Sequence, residues 1–169
     1  KPDYVLVHGD TTTTFTASLA AFYRQIKVGH VEAGLRTGDL AAPFPEEANR
    51  QLTGVLASLH FAPTETAREN LLRENKRMKY FVVGNTVIDA LKTTVQEDYD
   101  HPILEWAKGS KLIMLTAHRR ENLGEPMEHM FRAVNRILDE FEDVKVVYPI
   151  HKNPKVRELA SKIFGENER

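Results

Sequence analysis

The stretch KPDYVLVHGDTTTTFTASLAAFYRQIKVGHVEAG (1–34) decides the fold. YVLVH (4–8) is a short β-rich run without polar alternation, which predicts a strand buried on both faces. A helix follows from Thr12 to about Arg24, and IKVGHVE (26–32) is a second strand. Strand, helix and strand in so few residues mark a βαβ unit with parallel strands. Working outward, the alternation continues. The prolines at 43 and 45 open a helix over Glu46–Ser58, and LHFAP (59–63) is a strand closed by proline. Thr64 or Thr66 starts a capped helix, KYFVVG (79–84) is a strand, and a helix runs from Asn85 to Thr94. QEDYDHP (96–102) is acidic and ends in proline, so it reads as a linker. Beyond it KLIMLTA (111–117) and VKVVYPI (144–150) are strands, with helices over 124–141 and 154–164. In the longer helix Met127, Met130, Phe131, Val134, Ile137, Leu138 and Phe141 recur at spacings of three and four, which predicts one core-facing stripe. The expectation is two Rossmann-like, doubly wound parallel-sheet α/β domains, residues 1–97 and 98–169, both incomplete. The chain has no initiator Met and opens almost in a strand, which suggests a piece of something longer.

Composition narrows the function classes. In 169 residues, 23 Lys and Arg face 24 Asp and Glu, a formal net charge of −1. A near-neutral chain with interspersed signs has no electrostatic footprint for nucleic acid or an anionic membrane. No apolar run approaches the roughly 20 residues of a membrane span. Hydrophobic residues make up 41% and charged residues 28%, a globular balance. The absence of cysteine excludes a disulfide framework, thiolate metal sites and cysteine nucleophiles, and fits a cytoplasmic protein.

Open α/β sheets bind ligands outside the carboxyl ends of their strands, so the residues delivered there matter most. The first strand delivers His8, Gly9 and Asp10, followed by four threonines. The second delivers His30, Glu32, Gly34 and Arg36. The first strand after 102 delivers His118, Arg119, Arg120 and Glu121, and the next delivers Tyr148, His151 and Lys152. HGDTTTT suits an anion at a helix N-terminus, but Asp10 reads equally as a plain helix cap. Neither a dinucleotide fingerprint nor a P-loop is present. Glu46 and Arg50 are four apart and share a helical face, either as a surface ion pair or as part of a functional segment. The guanidinium forks of TAHRREN suit phosphate, and His151 reads either as a ligand group or as a cap ahead of Pro154. His8, His30 and His60 lack metal-ligand spacing and read as structural, so no metal is expected.

Together HGDTTTT (8–14), HVEAGLRTGD (30–39), PFPEEANRQLTG (43–54), VGNTVIDAL (83–91), TAHRRENLG (116–124) and YPIHKNP (148–154), in this order, resemble the bacterial non-hydrolysing UDP-N-acetylglucosamine 2-epimerase family. The resemblance implies a glycosyltransferase-B type fold. It also implies reversible interconversion of UDP-N-acetylglucosamine and UDP-N-acetylmannosamine for cell-envelope polysaccharides, without metal or other cofactor. It implies that Asp10, Glu32 and Glu46 are the acid/base carboxylates, that His118 assists the departing UDP, and that Arg50 is an ion partner or substrate contact. Glu46, Arg119 and His151 match residues lining a second, activating UDP-N-acetylglucosamine site. A homodimer is implied for the intact protein. The family's glycine-and-arginine loop and its later Ser/Gly-rich nucleotide loop are not in these residues, so the isolated segment is expected to bind poorly and not turn over. The alternatives are a hydrolysing relative that releases N-acetylmannosamine, a glycosyltransferase of the same fold, and a non-catalytic nucleotide-sugar-binding protein.

Overall fold

Strand β1 (Tyr4–His8) leads into helix α1 (Thr12–Tyr23), and strand β2 (Lys27–Val31) lies parallel beside β1 with His8 opposite Val31. The computed structural model describes residues 1–74, 78–165 and 167–169. The chain forms two units, Lys1–Glu97 and Asp98–Arg169. In the first, α2 (Glu46–Leu56), β3 (Leu59–Ala62), α3 (Glu65–Glu74), β4 (Lys79–Val82) and α4 (Thr86–Thr94) continue the alternation. All neighbouring strands pair in parallel, in the order β1-β2-β3-β4.

The register sorts side chains onto two faces. Val7, His30, His60 and Tyr80 lie abreast on one face, with Val5 and Val28 beside them. Val7, Val28, His30 and His60 are buried there, and Val7 and Val28 form a core with Ala21 of α1 and Ala57 after α2. The opposite face carries Tyr4, Leu6 and Phe81, and Leu6 is 66% exposed. The expectation that YVLVH is buried on both faces is therefore corrected: within this chain one face is covered. The cause is topological. When strand order follows chain order, each right-handed crossover returns its helix to the same side. Gly29 has a steric role on the open face, because a Cβ there would stand 2.6 Å from Leu6 Cδ2. Leu6 lies across β2 only because that position has no side chain.

The second unit holds α5 (Pro102–Ala107), β5 (Lys111–Met114), α6 (Glu125–Glu140), β6 (Val144–Val147) and α7 (Pro154–Phe164). β5 and β6 pair in parallel, Lys111 opposite Val144. The stripe on α6 narrows to Met127, Phe131 and Leu138, while Ile137 and Phe141 stay exposed. Phe131 is fully buried against Tyr148 and Phe164, next to Val156 of α7. Burying a side chain of that size contributes about 2–3 kcal/mol. α5 begins at Pro102, the last residue of the segment that reads as a linker, and is an element the sequence reading did not expect. His101 caps it by accepting the Ile103 amide, and Pro102 sits at its first position. No helix among the described residues is long and apolar enough to cross a membrane.

Candidate active site

The chain turns sharply after β1. Gly9 has φ +71°, a region glycine enters without penalty, and its amide donates to Val31 O at 3.0 Å. Thr11, not Asp10, caps α1: its Oγ1 accepts the Thr14 amide at 3.2 Å. Thr14 Oγ1 donates to His8 O at 2.6 Å and closes the turn. The reading of Asp10 as a cap is therefore excluded, and its carboxylate serves another partner. Arg50 Nη2 donates to Asp10 Oδ2 at 2.6 Å, and Asn49 Nδ2 donates to the Asp10 carbonyl at 3.0 Å. His30 Nε2 donates to Gly9 O at 2.7 Å, which leaves the buried Nδ1 without a partner. Burial pushes the His30 imidazole below its ordinary value, with Arg36 and His8 adding to the effect. Its hydrogen bond to Gly9 O and the Asp10 charge only partly offset this. A neutral ring buttresses the turn.

Glu32 ends the adjacent strand in a left-handed conformation, φ +64°. A non-glycine residue there costs about 1 kcal/mol or more. The Ala33 amide, donating to Phe61 O at 3.0 Å, holds the next residue in the sheet. Glu32 Oε2 lies 3.5 Å from His8 Nε2, and Thr86 Oγ1 at the start of α4 lies 3.5 Å from the same nitrogen. A Cβ on Gly9 would stand 3.4 Å from Glu32 Oε2, so the glycine also keeps space beside that carboxylate.

The loop from Gly34 to Pro45 is built rather than loose. Gly34, φ +91°, packs so closely on α3 that a Cβ would stand 2.2 Å from Ala67 O. Asn70 Nδ2 donates to Gly34 O at 3.0 Å, and Arg36 grips both oxygens of Glu74 at 2.7 Å. Glu47, fully buried, ties the loop to α2. Its Oε2 accepts the Thr37 amide at 3.2 Å; its Oε1 accepts the Gly38 amide at 3.4 Å and Gln51 Nε2 at 2.8 Å. Arg50 Nε stands 3.5 Å from Oε2. Burial alone would raise the Glu47 carboxyl; the Gln51 amide, the two backbone amides and Arg50 outweigh it and hold it below the usual carboxylate value. Glu47 is thus an anion inside the protein.

The expected Glu46–Arg50 pair is corrected. Arg50 pairs with Asp10 and Glu47, and no ion pair among the described residues involves Glu46, which stands half-buried at the first position of α2. Both spacings, three and four, can bring a glutamate to Arg50, and it is the buried Glu47 that lies against it here. Glu47 and Asn49 were missed by the sequence reading. The spacing Glu47–Arg50–Gln51, three and four apart, carried a signal for them.

In the second unit the rings of His118 and His151 stack with centroids 5.6 Å apart, both side chains exposed. Arg119 Nη1 lies 3.8 Å from Glu121 Oε1. The Arg120 side chain lies outside the described residues. Asn153, not His151, caps α7 by accepting the Lys155 amide, and His151 Nδ1 accepts the Asn153 amide at 3.1 Å.

The parallel strands and their covering helices define a Rossmann-like α/β protein, with Asp10 and Glu32 following strand ends in the first unit and the His118–His151 pair following strand ends in the second. The chain belongs to the UDP-N-acetylglucosamine 2-epimerase family, whose model matches residues 1–169. It is 67% identical to the UDP-N-acetylglucosamine 2-epimerase of Bacillus subtilis, over 100% of this chain and 45% of that protein. Identity to the Escherichia coli K12 enzyme is 52%, over 98% of this chain and 46% of that protein. A Staphylococcus aureus MnaA–UDP co-structure superposes with a TM-score of 0.96 at 58% identity, covering 99% of this chain and 46% of that one. The Neisseria meningitidis UDP-GlcNAc 2-epimerase bound to UDP-GlcNAc gives a TM-score of 0.87 at 47% identity, over 98% and 47%. The chain spans somewhat less than half the length of the curated relatives it matches.

Proposed function

We propose that the intact protein containing this chain interconverts UDP-N-acetylglucosamine and UDP-N-acetylmannosamine by inverting C2 of the sugar. The observation that carries this reading is Asp10, free of helix capping and gripped by Arg50 at 2.6 Å, beside Glu32 at the neighbouring strand end in a chain of this family. The chemistry explains why carboxylates are needed. The C2 proton is not next to a carbonyl, so direct removal is prohibitive. Instead the C1–O bond to UDP breaks with its electron pair leaving on UDP, C2 loses its proton to a base, and 2-acetamidoglucal forms. A proton then returns to the opposite face of C2 while UDP re-adds at C1. Carboxylates stabilise cationic character at C1 and carry protons on two faces. In this reading Asp10, Glu32 and Glu46 are those carboxylates, Arg50 holds Asp10 in place by its hydrogen bond, and His118 assists the leaving diphosphate.

The finer parts of the proposal follow the family resemblance. Residues 1–97 belong to the domain bearing the acid/base groups and 98–169 to the UDP-binding side. Glu46, Arg119 and His151 line an activating substrate site. The intact protein is a cytoplasmic homodimer serving cell-envelope polysaccharide synthesis, and the 169-residue segment alone does not turn over. The test is NMR of the intact protein with UDP-N-acetylglucosamine in D2O. Deuterium at C2 together with UDP-N-acetylmannosamine supports the reading. Release of free N-acetylmannosamine replaces it with the hydrolysing reaction, and tight binding without exchange replaces it with a non-catalytic sugar-nucleotide binder.

A further inference from the structure

We infer that Glu47 is a positioning residue for the reaction: through Arg50 it fixes the Asp10 carboxylate against the 34–45 loop. This rests on the epimerase reading above. Glu47 is fully buried, and a buried carboxylate persists only where its oxygens are satisfied. Here both are. The Thr37 and Gly38 amides bind it from the loop, and the Gln51 amide binds it from α2. None of these contacts needs an arginine. Yet Arg50, only 12% exposed at its side chain, lies between Glu47 Oε2 at 3.5 Å and Asp10 Oδ2 at 2.6 Å. One guanidinium therefore spans an anion that never meets solvent and one at the mouth of β1. Arg50 Nε makes no hydrogen bond, so Glu47 acts on the guanidinium by charge at 3.5 Å, while Nη2 makes the directional hydrogen bond to Asp10. Asn49, from the same turn of α2, fixes the Asp10 backbone. Glu47 is the anchor of the set and Asp10 the end that acts.

Charge removal at the two positions should act in opposite directions. Glu47 and Asp10 are like charges on either side of one guanidinium, so removing the Glu47 charge takes away a repulsion at the site and removing the Arg50 charge takes away an attraction. Of the other ionisable groups, His30 of β2 senses the charge of Asp10 together with those of Arg36 and His8, and Glu32 follows the neighbouring strand β2.

The experiment is steady-state epimerisation by the intact protein as E47Q, R50Q, R50K and D10N, with pH profiles of kcat and thermal melts. E47Q keeps volume and one acceptor oxygen. It is expected to lower kcat about tenfold or more with KM within about threefold. Its acidic limb should move down by about half a pH unit or more, and that of R50Q should move up. A kcat at the parental level in folded E47Q overturns the inference. So does a kcat loss that tracks the melting temperature while the acidic limb stays in place, since that is a structural role alone. If E47Q does not fold, R50K carries the test. One ammonium keeps the charge but cannot span both carboxylates, so kcat should fall at unchanged KM, and a parental kcat overturns the inference. D10N separates the two levels: full activity in D10N overturns the epimerase assignment of Asp10 itself, whereas an inactive D10N beside a parental E47Q removes only Glu47.

Discussion

Acidification should destabilise the first unit through a buried histidine that makes no ion pair among the described residues. His60 is buried on the covered face of the sheet, stacked on Tyr80 at 5.2 Å, with Nε2 3.1 Å from Met78 Sδ and Nδ1 unpartnered. Burial first, then the nearby His30 and Arg36, lower its imidazole from 6.5 to about 4. The unfolded chain therefore binds a proton between pH 6.5 and about 4 that the folded chain refuses. Stability is unaffected above that window and falls as the pH drops through it. At 1.36 kcal/mol per pH unit the loss approaches about 3 kcal/mol once the pH is near 4. His30 acts in the same direction, so the effect must be isolated by comparison. Urea unfolding followed by far-UV circular dichroism, from pH 7.5 to 4.5, should show the parent losing about 2–3 kcal/mol more than His60→Gln, whose side chain does not titrate. Parallel curves for the two proteins would refute the reasoning.

Three further outcomes follow from packing. Gly34→Ala forces a Cβ to within 2.2 Å of the Ala67 carbonyl at φ +91°, so it should cost more than about 3 kcal/mol and be read as lost soluble yield or a strongly lowered Tm. Phe131→Ala opens a cavity at the centre of the second unit and should cost about 3–5 kcal/mol, with its unfolding transition displaced in urea. Asn153→Ala removes the side chain that accepts the Lys155 amide and should cost about 1 kcal/mol, seen as faster amide exchange in the first turn of α7.

The legibility of the sequence differs between fold and site. The β/α alternation was readable because strand and helix here are local: VKVV and KLIM are short apolar runs, and α6 shows its period in its own residues. α5 was not, since six residues with one proline have too few turns to display a period against the polar segment before them. At the site, Asp10 and Glu32 stood out because they follow strand ends. The choice between Glu46 and Glu47 could not be made in the same way. Only the fold-back of the chain at Gly34, which brings the Thr37 and Gly38 amides against α2, selects Glu47 as the inward one.

Sequence alone therefore determined the parallel α/β class, the family motifs and the positions where functional groups emerge, because propensity, turn chemistry and strand-end placement act over a few residues. Tertiary structure alone decided which partner each charged group takes. It assigned Arg50 to Asp10 and Glu47, gave the cap of α1 to Thr11, and left one face of the sheet open within this chain. The physical reason is range. A hydrogen bond between residues forty apart, such as Arg50 to Asp10, depends on where two elements dock, and docking is fixed by burial of the whole face.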